Sequence, residues 1–461
     1  MQKEILINVE PQEKRVAVVE GGALEEYYIE RPSDVSLVGN IYKGTVNSVM
    51  SGIGAAFVDI GFGKNGFLYV TDMMAPIQEF DLLDSAGHHP RHNPRPKPSD
   101  IDKLVKKGQE VLVQVIKEPI GNKGPRLTTH IGIPGRFVVL MPFDNHMGIS
   151  KKVNDYAERD RLRQILKKIM PGLNMGVIVR TAGVGKSESD FRREMRYLTA
   201  LWRNIKNRST KIKAPNLVNE EYSLTFRILR DIFSEDVVRV LVDNREEYKR
   251  LMHFANNIMP SMKRKLMFYQ EKTSMFDSRG IEKEIEKLYN KKIALKCGGY
   301  IFIEETEGLI AIDVNSGSFN KKHMEETAFK VNSEAATEIA RQIRLRDIGG
   351  IIVIDFIDMI KEKHCREIFD LLVSLVKKDR AKINILKMSE FGIVQMTRQR
   401  IRRGVSKVSY KDCPYCKGRG SVKSATTMAI EVLRAIKKHI EKARLREVHS
   451  YVHPEVANYM L

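Results

Sequence analysis

The sequence predicts a multidomain protein of mixed α/β and α+β class, and three observations predict it. The chain has 461 residues, more than one hydrophobic core usually serves, so several domains are expected. Short strand-like runs between Gly-rich turns fill residues 40–131. Strand and helix patterns alternate over residues 293–405, the signature of an α/β unit.

Composition narrows the classes. Hydrophobic residues make up 42% and charged residues 30%, a globular mixture that excludes a disordered chain. A net charge of +20 points to a polyanionic partner or an acidic membrane surface. The N-terminus lacks the apolar core of a signal peptide. No run of about 18 apolar residues predicts a membrane span. Four cysteines make no disulfide framework, and a reducing cytoplasm is expected.

Each element follows from local pattern. Residues 4–31 alternate apolar and polar, with Gly21-Gly22 at the turn, and predict a hairpin. Strands at 40–50, 54–60, 66–70, 109–117 and 126–131 predict a small barrel of the OB type. Prolines and basic residues at 88–98 mark a long exposed loop rather than a histidine metal cage. Residues 135–215 mix strands (137–141, 176–181) with basic helices. Residues 220–290 are predicted mostly helical and amphipathic, and 426–445 a basic amphipathic helix with Ile430, Leu433, Ile436 and Ile440 on one stripe.

Four constellations bear on chemistry. In Leu309–Asn315 a period of two puts Ala311, Asp313 and Asn315 on one face and Ile310, Ile312 and Val314 on the other. Ile351–Asp355 is apolar up to its carboxylate. The intervening helix at 325–346, with Phe329, Ala336, Ile339, Ala340 and Ile343 inward, allows the two strands to lie side by side. Two carboxylates so placed repel unless a cation sits between them, and hard oxygen donors suit Mg²⁺. Asn315 could orient a water or a phosphate oxygen. The competing reading has the aspartates capping helices or pairing with Arg344 and Arg346.

Cys413-Pro414-Tyr415-Cys416, followed by glycines, offers two thiolates, half of a tetrahedral zinc site. The same loop of a second chain is the simplest completion. A redox pair is the alternative, but such a pair usually opens a helix in a thioredoxin-like unit, which the Gly-Arg-Gly after it argues against. Gly183-Val184-Gly185-Lys186-Ser187 resembles the end of a P-loop, yet Arg180 stands where that motif needs glycine. Arg180-Thr181 beside a Gly turn still suits a single phosphate. Phe57 and Phe67 fit either base stacking on a barrel face or core packing. Lys123 lies on the same barrel's last turn.

Seven segments taken in order carry a resemblance: 40–44 (NIYKG), 55–59 (AAFVD), 180–183 (RTAG), 311–315 (AIDVN), 341–346 (RQIRLR), 354–359 (IDFIDM) and 413–416 (CPYC). Together they resemble the ribonuclease E/G family along nearly the whole chain. The resemblance implies an S1 (OB-type) RNA-binding domain (37–132) inserted in an RNase H-like domain split into 1–36 and 216–285. It further implies a 5′-sensor region (133–215), a DNase I-like catalytic domain (286–408), a zinc link (409–422) and a small C-terminal domain (423–461). The activity implied is Mg²⁺-dependent endonucleolytic cleavage of single-stranded RNA, in RNA processing such as ribosomal RNA maturation and in messenger decay. Asp313, Asp355 and Asn315 would form the catalytic centre, and Phe57, Phe67 and Lys123 would contact RNA. Gly135, Val139, Arg180 and Thr181 would bind a 5′-monophosphate. Cys413 and Cys416 would share Zn²⁺ between two chains of a dimer or tetramer. Lys151 and Lys382 depart from the family's frequent arginine and lose its bidentate fork. The long basic tail of some members is missing, and the chain stops at Leu461, so either a compact member or an incomplete chain is expected. Against this stand a non-catalytic S1-type RNA chaperone, which needs no paired carboxylates, and a nucleotide hydrolase, which fails on glycine spacing.

Overall fold

In a computed structural model of the chain, the alternating N-terminus makes three strands, not the two of a hairpin. β1 (Lys3–Glu10), β2 (Glu13–Glu20) and β3 (Ala23–Glu30) form an antiparallel meander. Gly21 and Gly22, both at positive φ, turn β2 into β3. A second turn at 11–12 went unread because it lacks glycine. The structure describes residues 2–32, 36–74, 80–82, 100–119, 123–306, 308–318, 324–377, 379–399, 409–410, 413–416, 418, 420–443 and 447–460. The Pro-rich basic loop at 88–98 lies outside them. The chain divides into two units, residues 1–402 and 403–461.

The barrel forms as its strand pattern requires. β4 (Ile41–Met50), β5 (Ala55–Asp59) and β6 (Gly66–Tyr69) run antiparallel. A short strand, β7 (Phe80–Leu82), leaves for the next sheet. β8 (Glu110–Lys117) and β9 (Arg126–Thr128) close the barrel, β9 on β6 and β8 on β4. Val46, Ala56, Val58, Leu68, Val113 and Leu127 fill it.

The third sheet has the order β10-β11-β13-β12-β7. It is built from β10 (Ile133–Pro134), β11 (Val138–Met141), β12 (Met147–Ser150) and β13 (Gly176–Val179), backed by helices Tyr156–Ile169 and Glu188–Lys211. Trp202, Phe191 and Leu198 of the longer helix enter its core.

The chain then returns twice. β14 (Asn216–Asn219) joins the barrel sheet beside β4. β15 (Val237–Val242) and β16 (Leu266–Phe268) join the first sheet, in order β16-β15-β1-β2-β3. Residues 220–290 are mostly helix, as expected, but these two strands interrupt the helices. The apolar run of β15, sandwiched between β1 and β16 in parallel, lacks the alternation that identifies a strand by pattern.

The last sheet of this unit is β17 (Lys292–Ala294), β18 (Tyr300–Glu305), β19 (Leu309–Asn315), β20 (Gly350–Asp355), β21 (Ile383–Ile385) and β22 (Ile393–Arg398). Their order is β17-β18-β19-β20-β22-β21, with only β19 and β20 parallel. Helices Met324–Leu345 and Glu362–Val376 cover one face with Val331, Ala335, Ile339, Ile343, Ile368 and Leu372. In the second unit the described residues form helices Ala425–Ala443 and Pro454–Met460. The expected apolar stripe of the longer one is open to solvent at Ile430, Leu433 and Ile440.

Candidate functional site

The apolar alternation of β19 is what aims its carboxylate. Ile310, Ile312 and Val314 are buried, while Leu309 and Asp313 are exposed on the opposite face. In β20, Ile352 and Ile354 are buried and Asp355 is exposed. The parallel register sets Asp313 directly opposite Asp355 at the carboxyl ends of both strands. The Asn315 amide, two residues on and therefore on the same face, donates to Asp313 Oδ2 at 2.6 Å.

Partial burial, then the charges of Asp313 and Asp358, push the Asp355 carboxyl above its usual value. No basic side chain among the described residues pairs with either aspartate. Arg344 instead donates to Glu25 at 2.5 Å, and Arg346 to the carbonyl of Asn290 at 2.8 Å. Arg341 reaches Glu284 at 2.7 Å and the Leu24 carbonyl at 3.0 Å. The basic motif at 341–346 thus fastens the last sheet's helix to the N-terminal sheet and leaves the carboxylates uncompensated. No group of three or more His, Cys, Asp or Glu gathers at ligating spacing among the described residues. Two adjacent carboxylates and an amide oxygen, unneutralised and open to water, fit a hard divalent cation that keeps most of its own water.

The barrel presents an aromatic face. Phe57 and Phe67 stand opposite each other in register, their rings 5.4 Å apart, and both are half-buried outside the apolar core. Tyr69 extends the row 4.4 Å from Phe67, with the Arg126 guanidinium 5.4 Å from its ring centre. Sequence reasoning missed Tyr69, although its spacing of two from Phe67 places it on the same face. Lys123 is exposed. A Cβ on its neighbour Gly124 would lie 1.8 Å from the Asn65 carbonyl, so this turn packs directly against the β5–β6 turn.

Gly135 and Arg180 come together: Arg180 Nη1 donates to the Gly135 carbonyl at 2.7 Å and to Asp231 at 2.7 Å. Thr181 Oγ1 lies 3.5 Å from Ser150 Oγ. Val139 is half-buried on β11 and pairs with Pro134, next to Gly135. The backbone here is set by Glu194, a buried carboxylate that accepts from the amides of Arg136, Phe137 and Val138. Despite its burial, the Asp231 carboxyl is held below its usual value by Arg230 and Arg180. The P-loop-like segment ends in a helix cap: Ser187 and Asp190 form a capping box, Gly185 N–H meets Glu158, and Lys186 pairs with Glu235. Lys151 and Lys382 are exposed. Cys413 is exposed and Cys416 half-buried, and neither is in a disulfide.

The comparisons define a class and then a family. A model of the S1 RNA-binding domain matches residues 37–129, which makes the barrel an RNA-binding module. A model of the ribonuclease E/G family matches residues 132–401, and one described as its thioredoxin-like domain matches 412–461. The chain is 40% identical to Ribonuclease G of Salmonella typhimurium (strain SL1344) over 95% of this chain and 88% of that protein. It is 37% identical to Ribonuclease G of Haemophilus influenzae over 99% and 92%. Ribonuclease E of Escherichia coli (strain K12) is 38% identical, but the match covers 42% of that longer protein. The chain belongs to the ribonuclease E/G family, and within it is most like ribonuclease G. The Gly-Arg-Gly after Cys416, taken above as evidence against a thioredoxin-like unit, is overruled by the match at 412–461.

Proposed function

We infer that this chain is an endoribonuclease of the ribonuclease E/G type, acting in RNA processing and decay, and that it cuts single-stranded RNA at Asp313 and Asp355. The observation that carries the site is their direct pairing in register on one open face with no cationic partner. Mg²⁺ held there would neutralise the scissile phosphate and lower the pKa of the attacking water. Asn315 holds the Asp313 carboxylate in one orientation. Phe57 and Phe67 offer faces on which unpaired bases stack, and Lys123 a charge for the backbone beside them. The sheet of β1–β3, β15 and β16 corresponds in this reading to the RNase H-like domain, and the sheet of β17–β22 to the DNase I-like domain.

The region of β10–β13 would read the 5′ end. Arg180 spends Nη1 on Gly135 and Asp231, and the rest of its guanidinium, with the Thr181 hydroxyl, suits a terminal monophosphate. Cys413 and Cys416 would share Zn²⁺ with the same pair of a second chain. A cytoplasmic setting fits cysteines that form no disulfide. No helix among the described residues is long and apolar enough to cross a membrane.

The deciding experiment measures cleavage of a labelled single-stranded RNA across a Mg²⁺ titration. Asp313→Ala and Asp355→Ala are each expected to lose at least about 100-fold in rate, several kcal/mol of transition-state stabilisation, with RNA affinity within about twofold. Wild-type rates in either variant would refute the site.

A further inference from the structure

We propose that Asn332 is a positioning residue of the carboxylate centre, clamping the segment that leaves β20 so that Asp355 and Asp358 keep their places. The proposal rests on Asp313 and Asp355 being the catalytic pair. Residues 356–361, between β20 and helix Glu362–Val376, have no regular structure, so their backbone groups need partners from elsewhere. Asn332 sits in the middle of helix Met324–Leu345 and is fully buried. Its Nδ2 donates to the Ile357 carbonyl at 2.8 Å, and its Oδ1 accepts from the Ile357 amide at 3.1 Å. One side chain thereby supplies both bonds that a neighbouring strand would have made.

Two turns earlier on the same helix face, Glu325 grips the other end of the segment. Its carboxylate accepts from the amides of Ile360 at 2.8 Å and Lys361 at 3.1 Å, and His364 Nδ1 lies 2.6 Å from it. Asp358 is held between the two grips. On the far side, Gly392 takes a positive φ, and a Cβ there would stand 3.1 Å from the Phe356 carbonyl and 3.7 Å from Asp358 Oδ1. The segment is thus pressed between the helix and the β21–β22 turn.

A buried amide in mid-helix is costly unless both its ends are bonded, and Asn332 spends both on this segment. Neither Asn332 nor Glu325 is bonded to Asp313 or Asp355, so their effect on chemistry runs through the backbone. Displacement of a reacting group by about 1 Å can cost about 100-fold in rate.

The test compares full-length wild type, Asn332→Ser and Glu325→Gln. Hydrogen exchange of residues 355–361 is measured without metal. Cleavage of a 5′-monophosphorylated single-stranded RNA is measured against Mg²⁺. Asn332→Ser is expected to speed exchange in this segment by about tenfold or more. It should also lower kcat by about 10–100-fold and raise the Mg²⁺ concentration for half-maximal rate, with KM for RNA within about twofold. Glu325→Gln keeps one acceptor and should shift the same quantities in the same direction by less. It covers the case in which Asn332→Ser fails to fold.

Unchanged exchange in folded variants, or faster exchange with wild-type kcat and Mg²⁺ dependence, overturns the proposal. So does a rate loss that vanishes on cooling with Mg²⁺ dependence unaltered, since that marks general instability. Asp313→Ala, run alongside, separates the two readings. If it cuts RNA normally, the catalytic pair is wrong and the clamp has no centre to position, even where exchange shows it holding the loop.

Discussion

Asp355 carries a conflict that a bound cation would relieve. Its carboxyl is raised by burial and by the charges of Asp313 and Asp358, so ionising it in the metal-free protein works against folding. Asp355→Asn removes that repulsion. The variant is expected to melt slightly higher than wild type without metal, by roughly 1 °C, because the site is largely solvent-screened. Added Mg²⁺ should raise the melting temperature of wild type and leave the variant unmoved. Calorimetry with and without Mg²⁺ decides, and a variant stabilised by Mg²⁺ as much as wild type would count against this site. This pair was legible in the sequence because alternation in an apolar strand states which face each side chain takes. The partner of Arg180 was not legible: Asp231 lies 51 residues away at the end of another helix. That partner sharpens the 5′-end prediction. Arg180→Gln should lose a monophosphate advantage of roughly tenfold while cutting 5′-hydroxyl RNA as wild type does. Equal slowing on monophosphate, triphosphate and hydroxyl ends would make the Asp231 pair purely architectural.

Among the elements, those closed by local pairing were readable and those completed from a distance were not. The five barrel strands announce themselves through short alternating runs and glycine turns, and the strand–helix–strand around Asp313 and Asp355 through a change of period from two to 3.6. β14, β15 and β16 are not legible in the sequence because β14 and β15 pair with β4 and β1 far upstream, β16 pairs only with β15, and helices on either side dominate the local pattern. Asn332 was equally invisible, since a polar residue inside a helix shows no periodic signal of what it will bind. The barrel's face yields a prediction of its own. Phe67 touches both Phe57 and Tyr69, so Phe67→Ala should weaken binding of single-stranded RNA by about 1–3 kcal/mol, roughly 5–150-fold. Duplex binding, which offers no unstacked base, should change little. Fluorescence anisotropy with both ligands checks this, and equal losses on strand and duplex would point to a collapsed barrel.

At the scale of the whole molecule, the proposed zinc site would draw Cys413 and Cys416 from each chain, two of the four donors zinc takes. Cys413→Ser with Cys416→Ser is expected to abolish bound zinc and give a smaller species in analytical ultracentrifugation. Metal analysis of wild type should find about one zinc for two chains. An unchanged oligomer, or about one zinc per chain, would rule out sharing. The first unit is joined across long stretches of chain: β1 lies between β2 and β15, and Asn8 donates to Asp243 across 235 residues. That arrangement sets an order of birth. The first strands to leave the ribosome cannot complete their sheet until β15 follows, roughly 10–50 s later at ordinary rates of synthesis. The barrel closes earlier through β8 and β9, and only its added strand β14 comes late. Until β15 follows, β1 leaves one edge unpaired, the kind of edge that invites mispairing. A truncation ending between the barrel and β15 would keep the RNA-binding strands and lose the means to protect their neighbours.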